Sequence, residues 1–432
     1  MIYYLYNFLL TFLLIAAIPY FLLRSLLSKG FRRALPQRLG FFQSPPFRRP
    51  IWVHAASVGE VFCSMPLLRR IKEEFPRSKI VLTTITSTGN EAAKTRVPDA
   101  DRVFFLPVDH PLIIRRAIEK IQPSLLLLAE TELWPNLLRS CGEKGIPVVL
   151  FNGRISQRSF RRYFRFKFFF KECLKYISLF LMQTEEDRKR IFEIGGEPQK
   201  TRTVGNLKFD QTFPSFTQEA MTDIAKTLGL HGMEKILIAG STHSGEEEIL
   251  VSLYKELKEM IPPLVLILAP RHLERLEEVE GFLKKESLSW SRKTALSQGA
   301  GQSDQEHPEV ILLDTMGELM GIYSLGTLVF VGGSLVPIGG HNPLEPLFFK
   351  KCVLFGPHMF NFLEISTRLI EDGGAIQVTG KEDLFSQLKR LLFDEGVRKE
   401  VGEKGHRFLQ KHQGATERMF EEIRPFLAGV ET

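Results

Sequence analysis

The chain has 432 residues with a formal net charge of +7, and 44% of its residues are hydrophobic. A chain of this length is expected to form about two or three domains, and its hydrophobic content excludes a largely disordered protein. Its four cysteines are scattered without a C-x-x-C pair, which argues against a disulfide framework and against a zinc site.

The N-terminus combines an apolar run with a basic cluster. Residues 2–23 are uncharged and rich in Leu, Phe, Ile and Tyr, and a helix of roughly 20 apolar residues can cross a bilayer. Residues 1–49 contain no acid, and their basic residues account for the whole net charge: Arg24, Lys29, Arg32, Arg33, Arg38, Arg48 and Arg49. Because positive charge stays on the cytoplasmic side, we predict a membrane anchor over 1–27, a basic juxtamembrane segment over 28–49 and a cytoplasmic body. A spanning helix and an interfacial helix both fit this pattern.

From residue 50 onward, short apolar runs alternate with amphipathic helical stretches. The predicted strands are 51–55, 79–84, 102–106, 124–129, 146–151, 177–183 and 201–205, and helices are predicted at 61–75, 111–121, 135–144 and 185–194. This alternation predicts a parallel sheet with helices on both faces. We therefore expect a Rossmann-like first domain over 50–212.

Several charged residues follow these strands. Glu60 falls in the first turn of the helix after strand 51–55, where an acid commonly complements the helix dipole and would be kept ionised. Glu130 directly follows the fully apolar strand 124–129, so we expect a raised pKa or a charged partner. Lys208 lies soon after the last strand. Ligands bind at the carboxyl ends of strands in open α/β sheets, so these three residues are candidate site residues.

Residues 153–171 form a basic, aromatic segment without an acid. Its first five basic residues are Arg154, Arg158, Arg161, Arg162 and Arg165, and phenylalanine and tyrosine lie between them. This composition suits an anionic membrane surface or phosphorylated lipid headgroups, and it could also bind single-stranded nucleic acid. A solvated helix with its phenylalanines in the core is the simplest alternative. The N-terminal anchor favours the lipid interpretation.

A second alternating set predicts another Rossmann-like domain over 213–432, with helices at its C-terminal end. Its predicted strands are 235–239, 264–269, 309–313, 327–331, 352–355 and 375–378, and residues 287–308 are expected to form an exposed excursion. Gly240–Gly245 follows the first strand and precedes a helix whose free N–H groups could bind an anion. Arg271 follows the second strand and suits a phosphate.

The segment from Gly339 to Glu345 offers a further polar group after a strand. Asn342 suits a helix N-cap, Pro343 the first helical position and Glu345 the acid of a capping box. Capping leaves the pair Gly339-Gly340 unexplained, and we expect that pair to let a ligand approach the backbone. Two such domains with a cleft between their strand ends match the GT-B architecture of glycosyltransferases.

Six motifs, in the same order and spacing, resemble those of the bacterial Kdo transferases of lipopolysaccharide synthesis. They are Ser57-Val-Gly59-Glu60, Glu130-Thr-Glu-Leu-Trp134-Pro135-Asn136, Gly205-Asn206-Leu207-Lys208-Phe209-Asp210, Pro270-Arg271-His272, Asp314-Thr-Met-Gly-Glu-Leu319 and Gly339-Gly-His-Asn-Pro-Leu-Glu345. The match extends from the N-terminal anchor to beyond residue 365. No single motif is decisive, and the resemblance depends on all six.

The resemblance implies a GT-B enzyme on the cytoplasmic face of the inner membrane. Such enzymes move Kdo (3-deoxy-D-manno-octulosonate) from CMP-Kdo to the lipid A precursor, with inversion and without a metal or other cofactor. Glu60 matches the general base, and Glu130 and Lys208 match positions thought to stabilise the transition state. The CMP-binding positions match Pro270, Arg271, Met316, Gly317, Glu318, Asn342, Pro343, Leu344 and Glu345.

Two other functions remain open at this stage. A GT-B enzyme could use a different nucleotide sugar on a lipid acceptor, and a membrane-anchored protein could bind anionic lipid or nucleic acid through residues 153–171 without catalysis. The second alternative leaves the Gly-rich segments and Glu60 unexplained. We therefore expect CMP-Kdo, the lipid A precursor and an anionic lipid surface as partners, and no nucleic acid.

Overall fold

The chain folds as two units over residues 2–210, 217–297 and 308–428, which the computed structural model describes. Unit 1 comprises Met1–Thr212 and His412–Thr432, and unit 2 comprises Phe213–Lys411. Each unit contains a 7-stranded sheet in which every pairing is parallel. The alternation of apolar and amphipathic segments predicted this arrangement.

The sheet of unit 1 has the order β3-β2-β1-β4-β5-β6-β7. Its strands are β1 Ile51–His54, β2 Ile80–Thr84, β3 Arg102–Phe105, β4 Leu125–Ala129, β5 Val148–Gly153, β6 Leu179–Met182 and β7 Thr201–Thr203. Both faces are buried: Ile51 and Val53 belong to one core cluster, and Trp52 between them belongs to the other. The order reverses between β1 and β4, which is the position where open α/β sheets bind ligands.

Helices cover both faces of this sheet. The helices of unit 1 up to β7 are α1 Ile2–Ala16, α2 Ile18–Leu27, α3 Lys29–Arg38, α4 Val58–Glu74, α5 Ser87–Arg96, α6 Pro111–Ile121, α7 Pro135–Glu143, α8 Gln157–Arg165, α9 Lys167–Leu174 and α10 Glu185–Glu193. A short 3-10 helix, Leu207–Asp210, follows β7.

The sheet of unit 2 has the order β10-β11-β9-β8-β12-β13-β14. Its strands are β8 Lys235–Thr242, β9 Leu264–Pro270, β10 Trp290–Arg292, β11 Val310–Leu312, β12 Leu328–Val331, β13 Val353–Phe355 and β14 Ile376–Gln377. Its helices are α11 Gln218–Thr227, α12 Glu247–Met260, α13 Leu276–Lys285, α14 Lys293–Ser297, α15 Leu319–Tyr323, α16 Leu344–Phe348, α17 Leu363–Glu371, α18 Lys381–Phe393 and α19 Glu395–His412.

The C-terminal helix belongs to unit 1 rather than unit 2. Helix α20, Ala415–Leu427, contributes Met419, Phe420 and Ile423 to the core cluster that includes Ile51 and Val53. The predicted second domain, 213–432, therefore ends at residue 411. We assigned α20 to the second domain because it follows that domain in the sequence. Its apolar face instead packs on the sheet of unit 1, whose strands lie more than two hundred residues earlier in the chain.

The predicted excursion 287–308 is partly regular. Residues 290–292 form the edge strand β10, which pairs with β11, and α14 follows directly. The strand is too short and too polar to be recognised from its sequence, W-S-R. Residues 298–307 lie outside the described part of the chain.

The N-terminal apolar run forms two helices, α1 and α2. No single described helix is long and apolar enough to cross a membrane, whereas α1 and α2 together pass this test by length and composition, with a bend of 46° between them. One face of α1 lies on unit 1. Tyr6 donates a hydrogen bond to Asp109 (3.0 Å), and Asn136 donates one to Asn7 (2.7 Å). The other face exposes Leu5, Phe8, Leu9, Phe12 and Leu13.

Candidate active site

The first site residue of unit 1, Glu60, lies at the start of α4, immediately after β1. Its carboxylate accepts hydrogen bonds from the Ala56 N–H and the Ser57 hydroxyl, both at 2.8 Å. Burial raises the pKa of Glu60 to about 7, and the Glu130 carboxylate adds to this increase. Burial and a like charge thus oppose the helix N-terminus, which we expected to keep Glu60 ionised.

Glu130 follows β4, the neighbour of β1 in the sheet, and it has a left-handed backbone with φ of 53°. Such a conformation is uncommon for a residue other than glycine and is concentrated at functional sites. Burial raises the pKa of Glu130, while the positive charges of Lys208 and Arg154 oppose that increase. The sequence predicted a raised pKa or a charged partner, and the direction of the shift and the nearby positive charges agree with this prediction.

Lys208 is brought to this cluster by a chain of buried amides. Gln183 donates to the Asn152 carbonyl (2.9 Å), and Asn206 donates to the Gln183 side-chain oxygen (2.9 Å). The Asn152 side chain accepts from the Leu207 N–H (3.0 Å), and the Asn206 side chain accepts from the Lys208 N–H (3.0 Å). The network orients the 3-10 helix, so that Glu130 and Lys208 act electrostatically on one another.

Arg154 lies in a different environment from the other arginines of its segment. It influences Glu130 and Asp187 electrostatically, close to the carboxylate cluster. The other four predicted arginines, Arg158, Arg161, Arg162 and Arg165, line a surface cavity of about 600 Å³ on α8 together with Gln157 and Phe166. Within the described part of the chain these four form no ion pair.

The aromatic residues of this segment divide between core and surface. Phe160, Tyr163 and Phe169 pack against the core of unit 1, whereas Phe164, Phe166 and Phe168 are 49%, 49% and 62% exposed. The alternative that the segment is a solvated helix with its aromatic rings in the core is thus correct for three of its seven rings. The remaining rings lie among the four unpaired arginines.

The predicted donor residues of unit 2 follow β9, β11 and β12. Pro270 is buried at the end of β9, and the exposed Arg271 donates its backbone N–H to the Thr242 carbonyl (2.9 Å). Met316 is 56% exposed, and Gly317 and Glu318 line a cavity of about 370 Å³. Ligand pockets commonly have volumes of roughly 300–1,000 Å³.

The segment from Gly339 to Glu345 differs from its predicted capping pattern. Helix α16 begins at Leu344, one residue later than predicted, and the Asn342 side chain accepts from the Leu344 N–H (3.1 Å). Asn342 also donates to Glu345 (3.2 Å), whose pKa is raised by burial. Because Pro343 and Leu344 are buried, their side chains support the helix and leave only backbone for a ligand.

The glycine pair Gly339-Gly340 has a structural cause that the sequence did not suggest. Both residues have positive φ, 113° and 73°. A Cβ on Gly339 would lie 2.4 Å from the Asn361 side chain, and one on Gly340 would lie 2.2 Å from the Met359 sulfur. Close packing against residues 358–361 therefore accounts for the glycine pair, and ligand approach to its backbone stays a prediction.

The Gly-rich turn after β12 is occupied by a carboxylate of the chain itself. Glu246 is fully buried and accepts four backbone hydrogen bonds, from His243 (3.0 Å), Gly333 (2.7 Å), Ser334 (2.9 Å) and Leu335 (2.9 Å). Burial raises its pKa, and these bonds oppose the increase. The N–H groups of Gly333, Ser334 and Leu335 are thus satisfied internally, whereas the anion site expected at the start of the helix after β8 stays a prediction.

Three histidines that sequence reasoning did not select lie together in unit 2. Nε2 of His243 lies 2.8 Å from Nε2 of His341, and the ring of His272 lies edge-on to that of His243 at 5.3 Å. Each histidine occupies a segment that follows a strand, β8, β9 or β12, and that position is the signal that could have identified them. Among the described residues no group of three His, Cys, Asp or Glu side chains could hold a metal ion.

Asp101, which directly precedes β3, has a structural role. Its carboxylate accepts from Lys72 (2.8 Å), Lys79 (2.9 Å) and the Ile80 N–H (2.9 Å). These positive charges and hydrogen bonds lower the pKa of Asp101. The carboxylate therefore ties α4 to the strands β2 and β3.

Residues 33–211 match the family model described as 3-deoxy-D-manno-octulosonic-acid transferase (kdotransferase). The chain is 38% identical over 409 residues to a 3-deoxy-D-manno-octulosonic acid transferase of Haemophilus influenzae, covering 94% of each chain. It is 30% identical to the Chlamydophila psittaci transferase of the same name, covering 99% of this chain and 97% of the relative.

A solved structure shares the fold at low identity. The UDP-GlcNAc 2-epimerase of Neisseria meningitidis bound to UDP-GlcNAc superimposes with a TM-score of 0.58 at 12% identity, covering 87% of this chain and 100% of the other. This likeness concerns the fold alone and agrees with the predicted GT-B-like architecture of two parallel sheets with helices.

Proposed function

The chain belongs to the family of 3-deoxy-D-manno-octulosonic acid (Kdo) transferases, and on that premise we propose that it transfers Kdo from CMP-Kdo to the lipid A precursor lipid IVA. The observation that carries the proposal is the carboxylate Glu60, held by two hydrogen bonds at the switch point of the unit 1 sheet. Unit 1 takes the acceptor, and unit 2 takes the nucleotide sugar.

Glu60 is the general base of the reaction. A carboxylate has about four acceptor positions, and the Ala56 N–H and the Ser57 hydroxyl use two of them. A further position can accept the proton of the acceptor hydroxyl. A pKa of about 7 supports this role, because a base is most effective when its pKa lies near the working pH.

The chemical step is a single displacement at the anomeric carbon of Kdo. The acceptor oxygen forms a bond to that carbon while its proton passes to Glu60. The bond to the CMP phosphate breaks on the opposite face, and its electron pair leaves with CMP, so the configuration is inverted. Glu130 and Lys208 form the charged pair that stabilises the reacting centre, an assignment that their mutual electrostatic influence supports.

Unit 2 binds CMP through the loops after β9, β11 and β12. Arg271 is exposed and suited to the phosphate. Asn342 and Glu345 offer polar atoms next to the start of α16, and the cavity beside Gly317 and Glu318 has the volume of a small ligand site. No step requires a metal, because arginine and lysine can carry the charge that a metal would otherwise balance.

The N-terminal helices attach unit 1 to the surface of the inner membrane. The polar face of α1, with Tyr6 and Asn7, is bonded to the body, so this helix cannot also be surrounded by hydrocarbon in its docked position. Its opposite apolar face is exposed. We therefore favour an interfacial helix pair over a spanning helix, with the α8 arginines facing anionic headgroups or the acceptor phosphates.

Mass spectrometry after incubation with CMP-Kdo and tetra-acylated lipid A precursor tests the reaction. A product heavier by Kdo is expected, and the number of residues added follows from the same spectrum. A thermal-shift titration with CMP, UDP and ADP tests the donor. Stabilisation by UDP or ADP and not by CMP would favour a different nucleotide sugar, and binding without any product would favour a non-catalytic protein.

The membrane orientation has its own test. An epitope is added before residue 1, and protease is then added to inverted membrane vesicles, which present the cytoplasmic face, and to spheroplasts, which present the periplasmic face. An interfacial pair predicts cleavage from the cytoplasmic face alone. Cleavage from the periplasmic face would show that α1 and α2 span the membrane.

A further inference from the structure

The histidine pair of unit 2 has a geometry that limits its protonation. The rings of His243 and His341 are nearly parallel, with an angle of 8° and a centroid separation of 5.1 Å, and their Nε2 atoms lie 2.8 Å apart. A contact this short requires an N–H on one nitrogen and a lone pair on the other. Two fully protonated rings would direct two N–H groups at one another. The pair therefore holds at most a single extra proton.

Burial and positively charged neighbours keep the pair neutral in the free protein. Burial is the main cause that lowers the pKa of His341 to about 4 and lowers that of His243, and Arg271 and His272 act in the same direction. Arg275 also lowers the pKa of His243, and Glu247 opposes it. The carboxylate of Glu247 is itself paired with Arg275 at 2.8 Å. At pH 7 the pair accordingly has no net charge.

The turn beside the two histidines offers a phosphate few backbone N–H donors. Turns rich in glycine usually bind phosphates through backbone N–H groups, but in this turn the N–H groups of Gly333, Ser334 and Leu335 donate to Glu246. A Cβ on Gly333 would lie 3.1 Å from the ring of His341 and 3.3 Å from that of His243, so the rings lie directly on this turn. Side chains must therefore supply the donors.

We propose that His243 and His341 act as one proton-binding unit, which takes up a proton when the phosphate of CMP-Kdo or CMP binds beside Arg271. This inference rests on the proposed CMP-Kdo donor site. The proton comes from solvent on binding. During transfer the bond between the anomeric carbon and the phosphate oxygen breaks, the electron pair stays on the phosphate, and the protonated pair with Arg271 stabilises that charge. The proton returns to solvent when CMP leaves.

Isothermal titration calorimetry of the full-length protein with CMP tests the inference. Binding at pH 7 is measured in two buffers of different ionisation enthalpy, and the difference in heat gives the number of protons taken up. We expect uptake of up to one proton with CMP and none with cytidine, which lacks the phosphate. Both His243→Asn and His341→Asn should abolish the uptake and weaken CMP binding about 10-fold, as for the loss of a charge-assisted hydrogen bond.

His231→Asn is the matched control, because His231 is an exposed histidine of the same unit. This variant should keep both the proton uptake and the affinity. CMP binding by the unaltered protein without proton uptake would overturn the inference and leave the donor assignment intact. Uptake that persists in both histidine variants would also overturn it. Binding of UDP in place of CMP would overturn the donor assignment and the inference together.

Discussion

Two sheets of similar topology carry opposite chemistry at their strand ends. In unit 1 the residues after β1 and β4 are carboxylates, and burial together with their mutual repulsion raises the pKa of Glu60 to about 7. In unit 2 a carboxylate at the equivalent edge, Glu246, is enclosed by four backbone N–H groups. The first acid is the one that we propose exchanges a proton with the acceptor, and the second holds loops together. The fold thus provides the position, and local hydrogen bonding decides the role.

The largest expected effect concerns the carboxylate that distinguishes unit 1. Glu60→Gln should lower kcat by about 10²–10⁴-fold, the usual contribution of a positioned general base. CMP binding should remain unchanged, since Glu60 belongs to unit 1. Glu73→Gln, an exposed position on the same helix, is the matched control. Robust transfer by the Glu60 variant would contradict the proposal that Glu60 is a catalytic base whereas Glu246 is structural.

The pH dependence of transfer should follow the same group. A base must be ionised, so kcat/KM should fall about tenfold per pH unit below the pKa of Glu60, near 7. Glu130→Gln removes a negative neighbour of Glu60 and should move this fall in kcat/KM to lower pH. A fall at the same pH in both proteins would indicate that a different group titrates. The measurement is kcat/KM from pH 5 to 9 in both proteins.

The same pKa shift predicts a stability change. The pKa of Glu60 lies above its ordinary value of 4.5 in the folded protein, so the folded state binds more protons than the unfolded state between these values. The contribution of Glu60 to stability is present below about pH 4.5 and is lost as the pH rises through about 7. Glu60→Gln should therefore raise the melting temperature at pH 8 and have little effect at pH 4. Equal shifts at both pH values would contradict this linkage.

The corresponding acid of unit 2 should affect stability. Glu246→Ala leaves four backbone N–H groups without their acceptor, which should destabilise unit 2 by about 2–3 kcal/mol. Urea unfolding of the full-length protein measures the effect. Glu248→Ala, an exposed neighbour on the same helix, should stay close to the parent protein. A neutral result for Glu246 would show that its hydrogen bonds are not maintained in solution.

The smallest effect is expected where unit 1 holds its N-terminal helix. Tyr6→Phe removes the hydrogen bond to the buried Asp109 and should weaken the docking of α1 by about 1 kcal/mol. Hydrogen–deuterium exchange over residues 2–16 in detergent should increase accordingly. Tyr4→Phe, at a position 78% exposed, should leave the exchange unchanged. Equal exchange in both variants would mean that α1 is held by its other contacts.

The secondary structure was accessible from the sequence because both units are built from strongly patterned segments. Each strand of unit 1 was predicted to within about two residues, since strands buried on both faces read as continuous apolar runs. The strand β10 was missed because W-S-R has no such pattern. The split of the phenylalanines in α8 and α9 was also missed, because an interleaved basic and aromatic sequence does not reveal which rings meet the core.

The sequence by itself determined the two parallel sheets, the family and the positions of Glu60, Glu130 and Lys208 at strand ends. Only the tertiary structure decided the enclosure of Glu246, the histidine pair and the docking of α1. These features depend on contacts between residues that are far apart in the sequence. Glu246 and Gly333 are 87 residues apart, His243 and His341 are 98 apart, and Tyr6 and Asp109 are 103 apart. The local sequence pattern shows which residues of a helix or strand are buried. The charge state of a buried group, in contrast, depends on which distant groups the fold brings beside it.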